Sequence, residues 1–209
     1  MNLCRVPYLK YRSWMYLSLI LLAGCATQRT TIDDIAYASN LALLDGNWQV
    51  AGKLAIRQQA TDNSNASTHT LRFDWQQRAD DYEIGLSGTL GFGRISVEKR
   101  GDWVSVTRGK NTTRAVDADQ LFWQQTGLRL PVSQLRYWAI GLPAPDAAFT
   151  LQPEDTDSTG LKAFQQGQWR VSYPQVEPVG RYLLPEKMIA TSEQYKLVIA
   201  LKNWQIETP

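Results

Sequence analysis

The chain has 209 residues, 44% of them hydrophobic, and a formal net charge of +2. This length and composition predict a folded chain of one or two domains, and so balanced a charge is unlike that of a nucleic-acid-binding protein. With 2 cysteines and 1 histidine, the chain cannot build a zinc site from four cysteines, two cysteines with two histidines, or three histidines. We expect no metal centre. A histidine-dependent triad would need His69, which lies in a polar stretch.

The amino terminus has the pattern of a secretion signal. Arg5, Lys10 and Arg12 precede an apolar run over residues 14–23. That run is too short to cross a bilayer, which takes about 20 residues, but it suits the apolar region of a signal peptide. The run leads into Leu-Ala-Gly-Cys at residues 22–25, which resembles the lipobox of bacterial lipoproteins. The alternative is an ordinary signal with a chance cysteine.

The lipobox resemblance implies how the chain is processed. We expect residues 1–24 to be removed and Cys25 to carry a lipid anchor, with residues 25–30 as a short polar tether. Residues 31–209 then form a single domain. In Gram-negative lipoproteins an aspartate after the cysteine favours retention in the inner membrane. Ala26 at this position therefore implies anchoring in the outer membrane, on its periplasmic face.

The expected domain begins with a predicted helix over residues 31–44, because Thr31 can cap it and Asp33 and Asp34 favour its first turn. Alternating apolar and polar residues then predict a series of half-buried strands. Their apolar positions are Trp48, Val50, Leu54 and Ile56; Leu71, Phe73 and Trp75; Tyr82, Ile84 and Leu86; Ile95 and Val97; and Val104 and Val106. Turn signals recur at about 8–12 residues, which is typical of an antiparallel meander, sandwich or barrel.

Two short helices are predicted in the middle of the chain. Asp117 caps the first, which Gly127 ends. Pro131 opens the second, which Gly141 ends. Predicted strands return at residues 161–165, 168–173, 187–190 and 195–204. Because strands and helices do not alternate regularly, the order predicts a mainly β domain rather than a doubly wound parallel sheet.

No sequence pattern indicates catalysis. The glycine-rich segment 88–93 lacks the Lys-Ser/Thr of a phosphate-binding loop, and its glycines have the wrong order for a dinucleotide fingerprint. The adjacent pairs Asp33–Asp34 and Asp80–Asp81 lie at predicted helix starts or loops, where aspartates usually act as caps or solvated charges. We therefore expect no enzyme activity and no cofactor.

Leu90 and Phe92 are unusual in that glycine-rich segment, because a hairpin tip normally carries polar residues. Flanking glycines allow the tip to project. The two side chains then enter a membrane or a partner's groove, or they fold back onto the core. The strands also present many inward-facing aromatic and aliphatic side chains. These form either a solid core or the wall of an incompletely filled barrel with an apolar cavity.

Further information comes from short segments spread over most of the chain. They are WQVAGKL at 48–54, FDWQ at 73–76, LSGTLG at 86–91, GLRLPV at 127–132, LRYWAIGLP at 135–143 and QWRV at 168–171, followed by Leu184-Pro185 and a final strand ending at Trp204. In this order, behind the lipobox, they resemble the outer-membrane lipoprotein LolB family. The resemblance implies an unclosed antiparallel β-barrel with a short helical plug and an apolar cavity. It also implies a protruding loop with an exposed leucine, here Leu90, although Thr89 stands where proline is common.

The resemblance implies a receptor rather than an enzyme. The expected function is to accept acylated lipoprotein cargo from a LolA-type periplasmic carrier and to insert it into the lipid of the outer membrane, as a monomer and without a nucleotide. Candidate walls of the acyl-binding cavity are Trp48, Leu54, Phe73, Trp75, Ile84, Leu86, Trp123 and Trp138. The alternative is a lipid-anchored periplasmic β domain with a solid core that binds a protein or glycan partner.

Overall fold

The computed structural model describes residues 32–60, 65–88, 93–152 and 160–207. Within these ranges the helices are α1 (Ile32–Leu41), α2 (Ala118–Thr126) and α3 (Val132–Trp138). The strands are β1 (Asn47–Gln58), β2 (Ser67–Arg78), β3 (Asp81–Gly88), β4 (Arg94–Arg100), β5 (Trp103–Arg108), β6 (Asn111–Ala115), β7 (Phe149–Leu151), β8 (Phe164–Gln166), β9 (Trp169–Val179), β10 (Tyr182–Thr191) and β11 (Tyr195–Glu207). None of the described helices is long and apolar enough to span a membrane.

The strands form one antiparallel sheet that does not close. Its order is β6-β5-β4-β3-β2-β1-β11-β10-β9-β8-β7, so β6 and β7 are its edges. The first and last strands of the chain, β1 and β11, pair at the centre over Asn47–Gln58 and Tyr195–Glu207. Successive strands extend the sheet outward on both sides of that pair. The predicted mainly β, unclosed antiparallel fold is confirmed.

One face of the sheet is apolar because side chains alternate along each strand. In β2, Leu71, Phe73 and Trp75 are buried, whereas the residues between them are exposed. The same alternation occurs in β3, β4 and β5. Helix α2 packs against β5, β6 and α3. The two short helices therefore cover part of the apolar face, as expected of a helical plug.

Both ends of α2 and the start of α3 form as predicted, whereas α3 ends at Trp138 rather than at Gly141. Asp117 Oδ1 accepts hydrogen bonds from the backbone N–H groups of Asp119 and Gln120 at 3.0 and 2.9 Å. Gly127 has φ of 75°, a left-handed conformation that ends α2. Helix α3 starts directly after Pro131, where the missing N–H of proline is not needed.

Several predicted boundaries are corrected. The predicted strands 168–173 and 187–190 are the longer β9 and β10, which contain prolines that are unusual inside a sheet. A register shift next to Pro185 accommodates one of them. The strand predicted at 161–165 is only Phe164–Gln166, and the helix predicted at 31–44 ends at Leu41. The edge strands β6 and β7 are additional, since β6 has no apolar alternation and β7 is only three residues long.

The fully buried amide of Gln166 joins β8 to α3 and to the connector that follows α3. Its Oε1 accepts hydrogen bonds from Trp138 Nε1 and the backbone N–H of Ala144, both at 2.9 Å. Its Nε2 donates to the carbonyl oxygens of Ala144 and Ala147 at 2.7 and 2.8 Å. Buried polar groups must be paired, and here four bonds satisfy one side chain. The amide therefore fixes the carboxyl end of the helical cover against the sheet.

Gly52 allows an unusually close approach in the centre of the sheet. It pairs directly with Phe73 of β2. A Cβ atom at this position would overlap the carbonyl oxygen of Ala200 and lie 2.8 Å from the ring of Phe73. Only glycine leaves room for both neighbours, so Gly52 sets the position of the Phe73 ring.

We expect Gly52→Ala to lower the free energy of unfolding by about 2 kcal/mol or more, because overpacking moves backbone as well as side chain. Urea unfolding measures this. The matched control is Gly85→Ala in β3, where a Cβ atom would meet only the carbonyl oxygen of Asp74 at 3.9 Å. The control should change stability by no more than about 1 kcal/mol. Equal effects of the two substitutions would contradict the close-approach argument.

Candidate functional site

An apolar cavity of about 50 Å³ lies between the sheet and the helical cover. The sheet contributes Leu54, Phe73, Trp75, Ile84, Leu86, Val97, Met188, Ile199 and Leu201, and the cover contributes Phe122, Leu130, Val132, Leu135 and Ala139. Every lining side chain in the described part of the chain is hydrophobic. The cavity therefore suits an apolar ligand and offers no charged group to a polar one.

The sheet must curve to form this cavity. Val97 in β4 and Met188 in β10 both line it, although five inter-strand steps separate these strands in the sheet order. At about 4.8 Å per step, a flat sheet would hold them roughly 24 Å apart. The apolar face is thus concave, and one small space is in contact with both arms of the sheet.

Among the described residues that line the cavity, only Trp75 has a nitrogen or oxygen atom in its side chain. Its Nε1 donates to Gln77 Oε1 at 3.1 Å, and Gln77 Nε2 in turn donates to the carbonyl oxygen of Ala79 at 2.6 Å. The buried amide of Gln77 therefore satisfies the indole. The ring can face an apolar ligand without leaving an unpaired donor, which would be costly in such surroundings.

Five of the candidate wall residues line this cavity. They are Leu54, Phe73, Trp75, Ile84 and Leu86. They come from three neighbouring strands, β1, β2 and β3. The alternating pattern brings them to one face of the sheet, and the curvature brings them to one space.

The other three candidates, all tryptophans, lie elsewhere. Trp48 packs against Trp75 and Trp204, and its Nε1 donates to the carbonyl oxygen of Leu43. Trp138 is fully buried and bonded to Gln166. Trp123 is 38% exposed on the outer side of α2. These placements remove all three from the wall of the described cavity, because their rings pack in the core or face solvent.

The cover supplies wall residues that the sequence reasoning did not single out. Val132, Leu135 and Ala139 follow the i, i+3, i+7 spacing that places residues on one helical face. Ile199 and Leu201 alternate on the last strand in the same way as the earlier strand residues. Periodicity could therefore have identified these positions, whereas the choice between wall and solid core needed the structure.

Four candidate functional residues lie outside the described residues. They are Cys25 and Ala26 at the expected anchor and Leu90 and Phe92 at the hairpin tip. Strands β3 and β4, which flank that tip, pair from Tyr82–Lys99 to Ser87–Arg94. The roles of these four residues remain predictions.

An ion pair links the cover to the turn between β2 and β3. Arg136 Nη2 of α3 lies 2.7 Å from Asp80 Oδ1, and Arg136 Nη1 donates to the carbonyl oxygen of Asp80 at 3.3 Å. The hydrogen bond from Arg136, and then its charge, hold the pKa of Asp80 below the usual value. Because Asp80 is exposed to solvent, this pair contributes about 0–1 kcal/mol. The ion pair therefore stabilises the position of α3 only weakly.

A second polar contact joins the two helices of the cover. Both oxygens of Asp119 in α2 accept hydrogen bonds from Ser133, one from its N–H at 2.8 Å and one from its Oγ at 3.0 Å. Burial nevertheless raises the pKa of Asp119. Burial, and then the negative charge of Asp119, also raise the pKa of Tyr82 in β3 to about 12.

Comparison with known proteins identifies the family. Residues 46–204 match the family model described as outer membrane lipoprotein LolB. A relative named outer-membrane lipoprotein LolB from Chromohalobacter salexigens is 30% identical over 203 residues, covering 93% of this chain and 91% of the relative. Another of that name from Ectopseudomonas mendocina is 35% identical over 205 residues, covering 93% and 96%. The chain therefore belongs to the outer-membrane lipoprotein LolB family.

Family membership confirms the resemblance on which the sequence analysis relied. It makes the chain an outer-membrane lipoprotein with a role in lipoprotein localisation. Among solved structures, a LolA superfamily protein from Nitrosomonas europaea aligns with a TM-score of 0.46 and 10% identity, covering 85% of this chain and 91% of that one.

Tyr82 provides a test at alkaline pH. Because its pKa is raised from 10.0 to about 12, its contribution to stability is fully present below the unfolded pKa and is lost as pH rises through 12. Two pKa units correspond to about 2–3 kcal/mol. We expect Tyr82→Phe to lose less stability than the wild-type protein as pH is raised from about 9 to 12, measured by urea unfolding.

The exposed Tyr37 provides the control for this measurement. Tyr37→Phe should follow the wild-type stability curve over the same alkaline range, since it changes an exposed residue and leaves Tyr82 in place. If Tyr82→Phe lost as much stability as the Tyr37 variant, buried Tyr82 would not be the source of the alkaline effect.

Proposed function

We propose that the protein accepts the acyl chains of lipoprotein cargo in the cavity between its sheet and its helical cover, and then inserts the cargo into the outer membrane. The cargo arrives from a LolA-type periplasmic carrier. The observation that carries this proposal is the wholly hydrophobic lining of the cavity. Family membership supports it, because the family is one of outer-membrane lipoproteins.

A shielded site is needed because acyl chains resist water strongly. Each methylene contributes about 0.8 kcal/mol to membrane binding, so exposing a chain of about 15 methylenes costs on the order of 12 kcal/mol. Transfer through the periplasm must therefore run from one apolar site to another. Differences in affinity can give it direction without a nucleotide, since each ~1.4 kcal/mol gives a tenfold bias.

The size of the cavity implies that the cover moves. An apolar cavity of about 150 Å³ is needed to hold a ligand as small as benzene, and this one measures about 50 Å³. A whole acyl chain cannot enter while Phe122, Leu130 and Leu135 occupy the space above the sheet. We infer that α2 and the first turn of α3 shift outward as the chain enters, while Gln166 holds the carboxyl end of α3 in place. The ion pair between Arg136 and the exposed Asp80 is weak enough to permit this shift.

The remaining roles fall to residues outside the described ranges. The lipid on Cys25 anchors the protein on the periplasmic face of the outer membrane, with Ala26 as the sorting residue. Leu90 and Phe92 enter the bilayer at the hairpin tip and help the cargo to leave. If the protein were instead a structural partner-binding domain, it would bind no acyl chain.

Filling the cavity should block acyl binding. Ala139 lines the cavity and is 1% exposed, so Ala139→Leu places three more carbons in a space of about 50 Å³. We expect the affinity for palmitate to fall at least about tenfold, measured by displacement of a fluorescent fatty acid. Urea unfolding of the same variant shows whether it remains folded.

Ala42→Leu is the matched control, because it adds the same carbons at an exposed position after α1. It should bind palmitate as the wild-type protein does. Unchanged binding by a folded Ala139→Leu variant would place the acyl chain elsewhere and overturn the proposed site.

The hairpin tip is tested separately from the cavity. We expect Leu90→Glu and Phe92→Glu to accept cargo from the carrier but to deliver it to phospholipid vesicles at least about tenfold more slowly, since a buried carboxylate costs about 2.5–3.5 kcal/mol in a bilayer. Pull-down measures acceptance, and vesicle flotation measures delivery. Val116→Glu, at an exposed apolar position of the described part of the chain, is the control. Normal delivery by both tip variants would refute the membrane role of the loop.

A further inference from the structure

A second space adjoins the apolar cavity and has a different chemistry. It is a cleft of about 520 Å³ bounded by α2, the loop before α3, the first turn of α3 and the turn between β8 and β9. Leu130 lines both the cleft and the apolar cavity. The cleft, however, also presents the polar side chains of Gln120, Arg129 and Gln134. A ligand with an apolar and a polar part could therefore occupy both spaces.

The cleft contains an unused hydrogen-bond acceptor. Gln134 Oε1 is buried, and no donor among the described residues bonds to it. The other buried amide on the cleft, that of Gln166, already makes four hydrogen bonds. Buried acceptors are rarely left unpaired in proteins. Because Gln134 also lines the cleft, rotation of its side chain would bring this unpaired oxygen to an N–H donor of a ligand.

The outer rim of the cleft combines an aromatic ring with a positive charge. The guanidinium group of Arg129 lies 3.9 Å from the centroid of the Trp123 ring, and Trp123 is 38% exposed. Asp119, the acidic residue of the cleft, is occupied by Ser133. The rim thus offers guanidinium donors for carbonyl oxygens, and the stacking holds the long Arg129 side chain in place.

We propose that this cleft binds the polar amino-terminal part of the lipoprotein cargo, namely the acylated cysteine and the first peptide bonds after it. This rests on the proposed function, since the acyl chains of the same molecule occupy the cavity beyond Leu130. A peptide N–H donates to Gln134 Oε1, and an ester or peptide carbonyl accepts from Arg129. Fatty acids lack the N–H group, so the cleft distinguishes a lipoprotein from a free acyl chain.

The experiment compares two probes on the soluble domain with its expected anchor removed. The probes are palmitate and a synthetic peptide with a triacylated amino-terminal cysteine. We expect Gln134→Leu to weaken binding of the lipopeptide about tenfold while changing palmitate binding less than about twofold. Trp123→Ala, an exposed and therefore structurally mild change, should act in the same direction. Gln124→Leu, an exposed glutamine of α2 outside the cleft, should change neither affinity.

Each other outcome overturns the proposal in a recognisable way. Equal weakening of both probes would show that the cleft residues act on the cavity or on stability. Unchanged lipopeptide binding in both the Gln134 and Trp123 variants would show that the cleft is not used. If the wild-type domain bound neither probe, the proposed function itself would fail, whereas wild-type binding with unchanged variants refutes the cleft alone.

Discussion

The structure depends on one constraint: the concave apolar face of an open sheet must be covered. The strands of a closed barrel would surround its apolar interior without further help. In this sheet, however, β6 and β7 remain as edges. Two short helices therefore provide the cover, and Gln166 fixes the end of α3 through Trp138 and the connector. The cover fills part of the concave face. The space left beside Leu54 and Ile84 is the cavity on which the proposed function rests.

Much of this fold could be predicted from local sequence patterns. Period-two alternation places Leu71, Phe73 and Trp75 on one face, and Asp117 and Gly127 mark the ends of α2. What local patterns cannot give is the pairing of β1 with β11, because it joins the two ends of the domain. The full lengths of β9 and β10 could not be predicted either, because proline normally ends a strand. Here a register shift next to Pro185 accommodates the proline within β10.

The residues of the candidate site likewise fall into those that local sequence patterns predict and those that they do not. The strand residues that line the cavity follow from alternation, because every second side chain must face inward. Alternation or helical spacing does not tell that the three tryptophans lie away from the cavity. Hydrogen bonds from the indole groups of Trp48 and Trp138 hold these rings in the core, whereas Trp123 is partly exposed. The curvature of the sheet determines which distant strands line the same cavity. Residues on β4 and β10 both line it only because the sheet bends. No residue pattern within a single strand predicts that bend.

The most direct test of the account is to locate the acyl chain itself. A cargo lipoprotein with a photoreactive acyl chain would be handed from the carrier to this protein, irradiated and mapped by peptide mass spectrometry. An acyl chain in the cavity would give crosslinks on both sides of it, at Phe122 or Leu135 of the cover and at Met188 of the sheet. Crosslinks confined to exposed apolar residues such as Trp103 and Phe149, with the cavity unlabelled, would contradict it.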